Sequence, residues 1–371
     1  MMKKFAILLL SVMCLALPAG AEPAATTQPA TQAAGQGRTR AVTFLSTSDP
    51  HYKAFESKGW NAYDRETIDE INRIAGQPWP DKLGPDKIDA PRGVLCLGDC
   101  VDDGDKMIQG QDYTAEQYKA FLADFGLDGT DGVLKFRVHE TWGNHDGPPV
   151  GKGKNSRFSF QAELKKRNAL RKEKGWLTNL SDNGLHYSWD WDDVHFVMVG
   201  IYPADRQNPK VHYSPVWHDP QGALTFLKED LARNVGAGDR PVVLMSHAGF
   251  DSDWWNAEDW KAVYEAARAY NVVLYLYGHT GTGLKDWAPE GQTKKWTCIN
   301  DGNTTAGFFV IQLAGDRLRA AYRCKDGVKI TKNPDRTVTR TWGGQWGWRF
   351  LLDRKIAAPA AEAPQTKPTT P

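Results

Sequence analysis

Charge of one sign is what this sequence most plainly lacks: Lys and Arg total 46 against 45 Asp and Glu, a formal net charge of +1. A chain without a basic excess is poorly matched to nucleic acid, whose binding proteins neutralise phosphates. Cysteine is scarce too, five in 371 residues, and none falls in a C-x-x-C pair, which excludes the usual zinc and dithiol redox motifs. Long apolar runs are missing with one exception, Phe5 to Leu17, which follows Lys3 and Lys4 and precedes Ala19-Gly20-Ala21. That run is too short to cross a bilayer comfortably and has the layout of a secretory signal peptide, residues 1–21. Cys14 has Met13 before it instead of a small residue, so it makes no lipoprotein anchor. Removal of the leader takes two lysines and no acid, leaving a net charge of about −1. The expectation is an exported protein, periplasmic or extracellular, with no transmembrane segment after processing.

Large apolar side chains are nearly absent from two further stretches. Residues 22–39 and 357–371 are Ala, Thr, Pro and Gln, which cannot bury enough surface to fold, and read as a flexible linker and a disordered tail. Roughly 315 residues lie between them, enough for one large domain over 40–330 with a C-terminal extension, 331–356, packed on it. No internal repeat is evident. The four cysteines beyond the leader, Cys96, Cys100, Cys298 and Cys324, are buried thiols or hold a disulfide, for which Cys298 and Cys324 are the better pair.

What the chain does have is a series of apolar runs that end in polar, metal-type residues. Val42-Thr43-Phe44-Leu45 leads to Asp49-Pro50-His51, and Gly93-Val94-Leu95-Cys96-Leu97 leads to Gly98-Asp99 and on to Asp102-Asp103. The run from Val133 to Trp142 leads to Gly143-Asn144-His145-Asp146, that from Val242 to Met245 to His247, and that from Val272 to Tyr277 to Gly278-His279. A strand ending in Gly-Asp presents its carboxylate at the carboxyl edge of a sheet, where several strand ends converge. Taken singly, each ending is most often only a turn.

The segments between read as helices. Ala62 to Ala75 places Ile68, Ile71 and Ile74 at helical spacing, and Thr114 caps a helix running through Phe125. Ser156 to Lys174 is a basic helix with a solvated outer face, and Pro220 to Val235 and Trp255 to Tyr270 are two more amphipathic helices. Leu185 to Trp191 and Val194 to Val199 flank Asp192-Asp193 as a tight hairpin. Trp296 to Ile299, Phe308 to Leu313 and Leu318 to Tyr322 are strands, and Trp342 to Trp348 is a Gly/Trp cluster that packs on the domain or binds a ligand. The alternation predicts an α/β fold with mainly parallel pairing at its core.

In order, the endings D-x-H, G-D-x-x-D, G-N-H-D, H and G-H resemble the calcineurin-like metallophosphoesterase superfamily from about Val42 to Thr282. The resemblance implies a two-sheet βαβ sandwich flanked by helices, a four-layer architecture whose second sheet begins at the 185–199 hairpin and is completed by the last strands. It implies two divalent metal ions, Mn, Fe or Zn, with Asp49 and His51 on the first, Asp99 bridging, and Asn144, His247 and His279 on the second. His145 would be the general acid, Asp146 would hold its ring and raise its pKa, and Asp102 would orient a ligand histidine or a water.

One departure stands out. The family closes with G-H-x-H, whereas Gly281 stands in the last place here, so a weaker first metal is expected unless His212, His218 or Asp253 supplies a ligand. The implied activity is hydrolysis of a small phosphomonoester or phosphodiester. Residues of Ile201 to Asp219, among them Arg206, Lys210, Tyr213 and Trp217, and of Asp251 to Trp255, either bind the substrate or pack a loop. The alternative is a protein of the same fold that binds phosphate ligands or metal without useful turnover. A nuclease of the superfamily fits the motifs but not the charge or the leader.

Overall fold

The apolar runs form strands, and most of the segments between them form helices, in a computed structural model that describes residues 40–54, 59–149, 158–207, 218–252, 257–334 and 338–356. The expected leader, linker and tail lie outside these residues. The order is β1 (Ala41–Thr47), α1 (Trp60–Ile71), β2 (Val94–Cys96), α2 (Thr114–Phe125), β3 (Val138–Glu140), α3 (Phe160–Glu173), β4 (Asn179–Leu180), β5 (Tyr187–Trp191) and β6 (Val194–Met198). It continues with α4 (Ala223–Asp230), β7 (Pro241–Met245), α5 (Ala257–Ala267), β8 (Asn271–Tyr277), β9 (Thr282–Trp287), β10 (Trp296–Asp301), β11 (Gly307–Ala314), β12 (Arg317–Lys332) and β13 (Val338–Lys355). No helix among the described residues is long and apolar enough to cross a membrane.

A six-stranded sheet runs β13-β12-β11-β1-β2-β3 and a seven-stranded one runs β4-β5-β6-β7-β8-β10-β9. Pairing is parallel at the heart of each, β1-β2-β3 and β6-β7-β8-β10, and antiparallel outside. Alternate residues of the central strands enter different cores. Phe44, Leu95, Phe196, Met198, Val243 and Met245 share a cluster built from both sheets, while Leu45, Val94, Val197, Val242 and Leu244 join one that includes the helices. Phe44 meets Phe196 edge to face at 5.1 Å across the sandwich. Strands covered on both faces read as unbroken apolar runs, which is why they were legible.

Several expectations need correction. Thr114 is already helical: the cap position is Tyr113, which makes no side-chain cap bond, and the Asp112 carboxylate just before it accepts from the Thr114 N–H (3.0 Å) and hydroxyl (2.6 Å). The basic face of α3 is not simply solvated. Arg167 and Arg171 turn inward onto Glu140, itself fully buried at the end of β3, and also donate to Gly126 and Val138 carbonyls. Burial would raise the Glu140 pKa, but the two guanidiniums outweigh it and hold the carboxyl at about 2.

The last strands do not all complete the second sheet. β10 joins it beside β8, whereas β11 pairs antiparallel with β1 and carries β12 and β13 into the first sheet. The segment from Asn300 to Thr305, the end of β10 and the turn after it, thus passes from one sheet to the other. It also separates Cys298 from Cys324: the four cysteines among the described residues are buried and free, with no disulfide between them. The Gly/Trp cluster is part of β13, where Trp346 and Trp348 pack on the core under Lys325 and Arg323 at 5.3 and 5.0 Å.

Candidate metal centre

The residues that follow β1, β2, β3, β7 and β8 are stitched to one another by backbone and side-chain hydrogen bonds. Asp49 and His51 donate their amides to the Gly98 and Asp99 carbonyls, Gly278 donates to the His247 carbonyl at 2.8 Å, and the His279 amide donates to Asp49 Oδ2 at 2.9 Å. Asp49, His51, Asp99 and His279 all have left-handed φ, between 50° and 67°, and they are half of the described non-glycine residues that do. Backbone in this region is costly for residues with a side chain and gathers where function holds it. The motif glycines serve the same crowding: a Cβ on Gly143 would overlap Asp99 Oδ1 and stand 2.7 Å from the His247 ring.

Asp99, buried, lies at the centre. His51 Nε2 is 3.7 Å and His247 Nε2 3.4 Å from its Oδ2, while the His145 amide donates to Oδ1 at 2.8 Å. Asp49 Oδ1 is 3.6 Å from His51 Nε2. Ligand atoms of His51, Asp99 and His145 all fall within 4.8 Å of one another, and so do those of Asp99, His247 and His279. Asp99 belongs to both groups.

The electrostatics suit a cation. Burial would lift the Asp99 pKa, yet the His247 and His145 imidazoles outweigh it and hold the carboxyl well below its usual range. Burial would likewise lower His247, but Asp99 raises it to about 9. His279, desolvated and beside His247, is pushed down to about 4 and stays neutral, the form in which imidazole binds metal. The Asn144 side-chain amide lies 3.2 Å from His247 Nε2 and beside the Asp99 carboxylate. The donor set, mixed carboxylate, imidazole and amide oxygen, fits Mn, Fe or Zn.

The sequence profile of calcineurin-like phosphoesterases matches residues 42–282. The chain belongs to that family. No curated protein matches it. Solved structures similar to it include TT1561 of Thermus thermophilus, 13% identical over 82% of this chain and 99% of that one, TM-score 0.38. Also similar are GAP50, the anchor in the inner membrane complex of Plasmodium, 11% identical over 77% and 85%, TM-score 0.42, and Vps29 from Entamoeba histolytica, 11% identical over 85% and 100%, TM-score 0.28.

Within the site of this calcineurin-like phosphoesterase, one of two flanking carboxylates, Asp146, takes a different task from the one expected. Asp102 Oδ1 lies 3.1 Å from His51 Nδ1 and orients that ring, and its other oxygen pairs with Lys53. Asp146 does not hold the His145 ring. Its oxygens accept from the Val101 amide (2.9 Å) and the Gly143 amide (2.7 Å), tying two loops together, while His145 Nδ1 meets the Asp102 carbonyl at 2.7 Å. Adjacency in sequence suggested a contact that the turn geometry directs elsewhere. Burial and the charge of Asp99 push the Asp146 carboxyl up to about 8.

Gly281 leaves open the place of the missing histidine. A Cβ there would meet nothing within 4 Å, and the φ of 148° is one that side-chain-bearing residues rarely adopt, so backbone as well as identity excludes the ligand. A cavity of about 310 Å³ is lined by Asp49, His51, His279, Thr280, Gly281, Gly302 and Asn303. His212, Asp253 and residues 208–217 and 253–256 of the two expected specificity loops lie outside the described residues. His218 is buried, and desolvation brings its pKa down to about 4, within electrostatic reach of Asp99 and His279. Sequence reasoning missed Gln117, whose side chain accepts from the Asp102 and Asp103 amides and donates to Asp103, and Asn303; both read there as ordinary helix and turn residues.

Proposed function

We propose that this protein is an exported metal-dependent phosphoesterase that hydrolyses a small phosphomonoester or phosphodiester, with His145 protonating the leaving alkoxide. The observation that carries the reading is buried Asp99 shared by two close groups of side chains, His51 and His145 on one side and His247 and His279 on the other, with Asp49 3.6 Å from His51. Asp49, His51 and Asp99 would hold one ion and Asp99, Asn144, His247 and His279 the other; when bound, such a pair supplies a nucleophile at neutral pH and neutralises phosphoryl charge.

The chain's own residues do the rest. With Nδ1 donating to the Asp102 carbonyl, His145 has Nε2 left to carry and release the proton, and its ring stands edge to face with His51 at 4.6 Å. The hydrogen bond its backbone amide donates to Asp99 Oδ1 fixes the acid relative to the shared carboxylate. Asp102 keeps His51 aimed, and Asp146 keeps the loops of Asp99 and Asn144 in register. Export rests on the leader at residues 1–21, and mass analysis of the processed protein should place its first residue at Glu22; a secreted chain retaining residues 1–21 would contradict that.

The open place at Gly281 favours a second reading, a protein of the same fold that binds phosphate or metal without turnover. Hydrolysis of p-nitrophenyl phosphate and its bis ester with Mn²⁺ or Zn²⁺ separates the two. The enzyme reading expects turnover that His145→Ala removes without removing metal. No rate above the metal blank with either ester would leave only binding.

A further inference from the structure

The cavity beside Gly281 has one wall that the family motifs do not describe. The segment from Asn300 to Thr305, the end of β10 and the turn that crosses between the sheets, is fastened to two of the loops that carry candidate ligands. Thr304 donates through its amide and its hydroxyl to the Ser48 carbonyl, each at 2.8 Å, directly before Asp49. Asn300 Nδ2 donates to the Thr280 hydroxyl at 2.7 Å, directly after His279. The turn is therefore fixed against the site from two sides.

Within it, Asn303 lines the cavity with its amide already oriented. Its oxygen accepts from the Thr305 amide at 2.9 Å and from the Thr305 hydroxyl, closing the turn. Both acceptor positions are used, so this oxygen is not a replacement for the missing metal ligand. Its NH2 group, at the other end of the amide, has no hydrogen-bond partner among the described residues. Thr280 cannot serve in the same way, since its hydroxyl accepts from Asn300 and donates to Asp251 at 2.8 Å. A fixed donor on a residue that lines the same cavity as Asp49, His51 and His279 matches one feature of a phosphate ester: a non-bridging oxygen left over when the site grips the others.

We propose that Asn303 Nδ2 donates to a non-bridging phosphoryl oxygen in the cavity that Gly281 opens, making it a substrate-positioning residue on the Asp49/His51 side. The proposal rests on the phosphoesterase reading for its substrate class. Pre-organisation explains why the amide is effective: its orientation is set by Thr305 before any ligand arrives.

Asn303→Asp keeps an acceptor for Thr305 while removing the donor, and Asn303→Ser keeps a turn-forming oxygen without adding charge. Both should melt near wild type and retain wild-type metal content. Calorimetric titration of the Mn²⁺-loaded proteins with inorganic phosphate is expected to show affinity about tenfold weaker in each variant, with a matching rise in KM for p-nitrophenyl phosphate. Wild-type phosphate affinity and KM in both variants would overturn the assignment and leave the phosphoesterase reading standing. Phosphate binding that depends on Asn303 in a wild-type protein without turnover would support the assignment and overturn that reading. No phosphate binding by the wild type would overturn the assignment.

Discussion

At the scale of single residues, the site is a problem of crowding around one carboxylate. Gly143 is needed because Asp99 and His247 occupy the space of a Cβ. Gly143→Ala is therefore expected to displace Asp99 and to lower bound metal, measured by elemental analysis, below half of wild type even if the chain folds; full metal content would contradict the close approach. His145→Ala should lower kcat by about 10²–10⁴ with metal retained, since it removes a proton donor and no expected ligand. The candidate ligand residues stood out in the sequence because each is a chemically distinctive ending to an apolar run. Asp146 was misread because one residue of separation says little about direction in a turn, and Asn303 drew no notice because its neighbours spell a turn whatever it faces.

At the scale of elements, buried charge decides how strands and helices attach. Glu140 at the end of β3 receives Arg167 and Arg171 from α3, with Glu140 and Arg171 fully buried. Glu140→Ala would leave two guanidiniums without their carboxylate, and a loss of about 3–5 kcal/mol in stability is expected from chemical denaturation. A change under about 1 kcal/mol would make the cluster a surface feature energetically. From sequence, the basic run on α3 suggested a solvated face, because nothing local shows that a carboxylate from β3 lies beneath it.

The hairpin β5-β6 carries a second device of this kind. His195 is bound through Nδ1 to Asp190 and through Nε2 to Asp230, both at 2.7 Å, and Asp230 also accepts from Asn179, Ser188 and Asn234. Arg240 reaches Asp190 as well. Burial would lower the His195 pKa, but the two carboxylates raise it above its usual value. A raised folded pKa means this stabilisation is complete below about pH 6.5 and is lost as pH climbs through the folded value. The melting-temperature gap between wild type and His195→Gln should therefore narrow above neutral pH; a gap constant from pH 6 to 10 would contradict the charged pair.

Across the whole molecule, the sequence made the parallel heart of each sheet legible, because strands covered on both faces leave continuous apolar runs. It did not reveal which sheet received the last strands. β10 and β11 are both apolar runs of ordinary length, and only the crossing turn, clamped to Ser48 and Thr280, sends them to different sheets. That crossing carries Gly302 and Asn303 to the cavity lined by Asp49 and His51, so the feature least visible in sequence shapes the wall of the candidate site.

The central claim is that Asp99 is shared between two cations. Anomalous diffraction from crystals grown with Mn²⁺ measures it most directly. Two ions about 3.5–4 Å apart are expected, with the Asp99 carboxylate between them and lower occupancy beside Asp49 and His51. A single ion, or a pair that leaves Asp99 uncoordinated, would contradict the account.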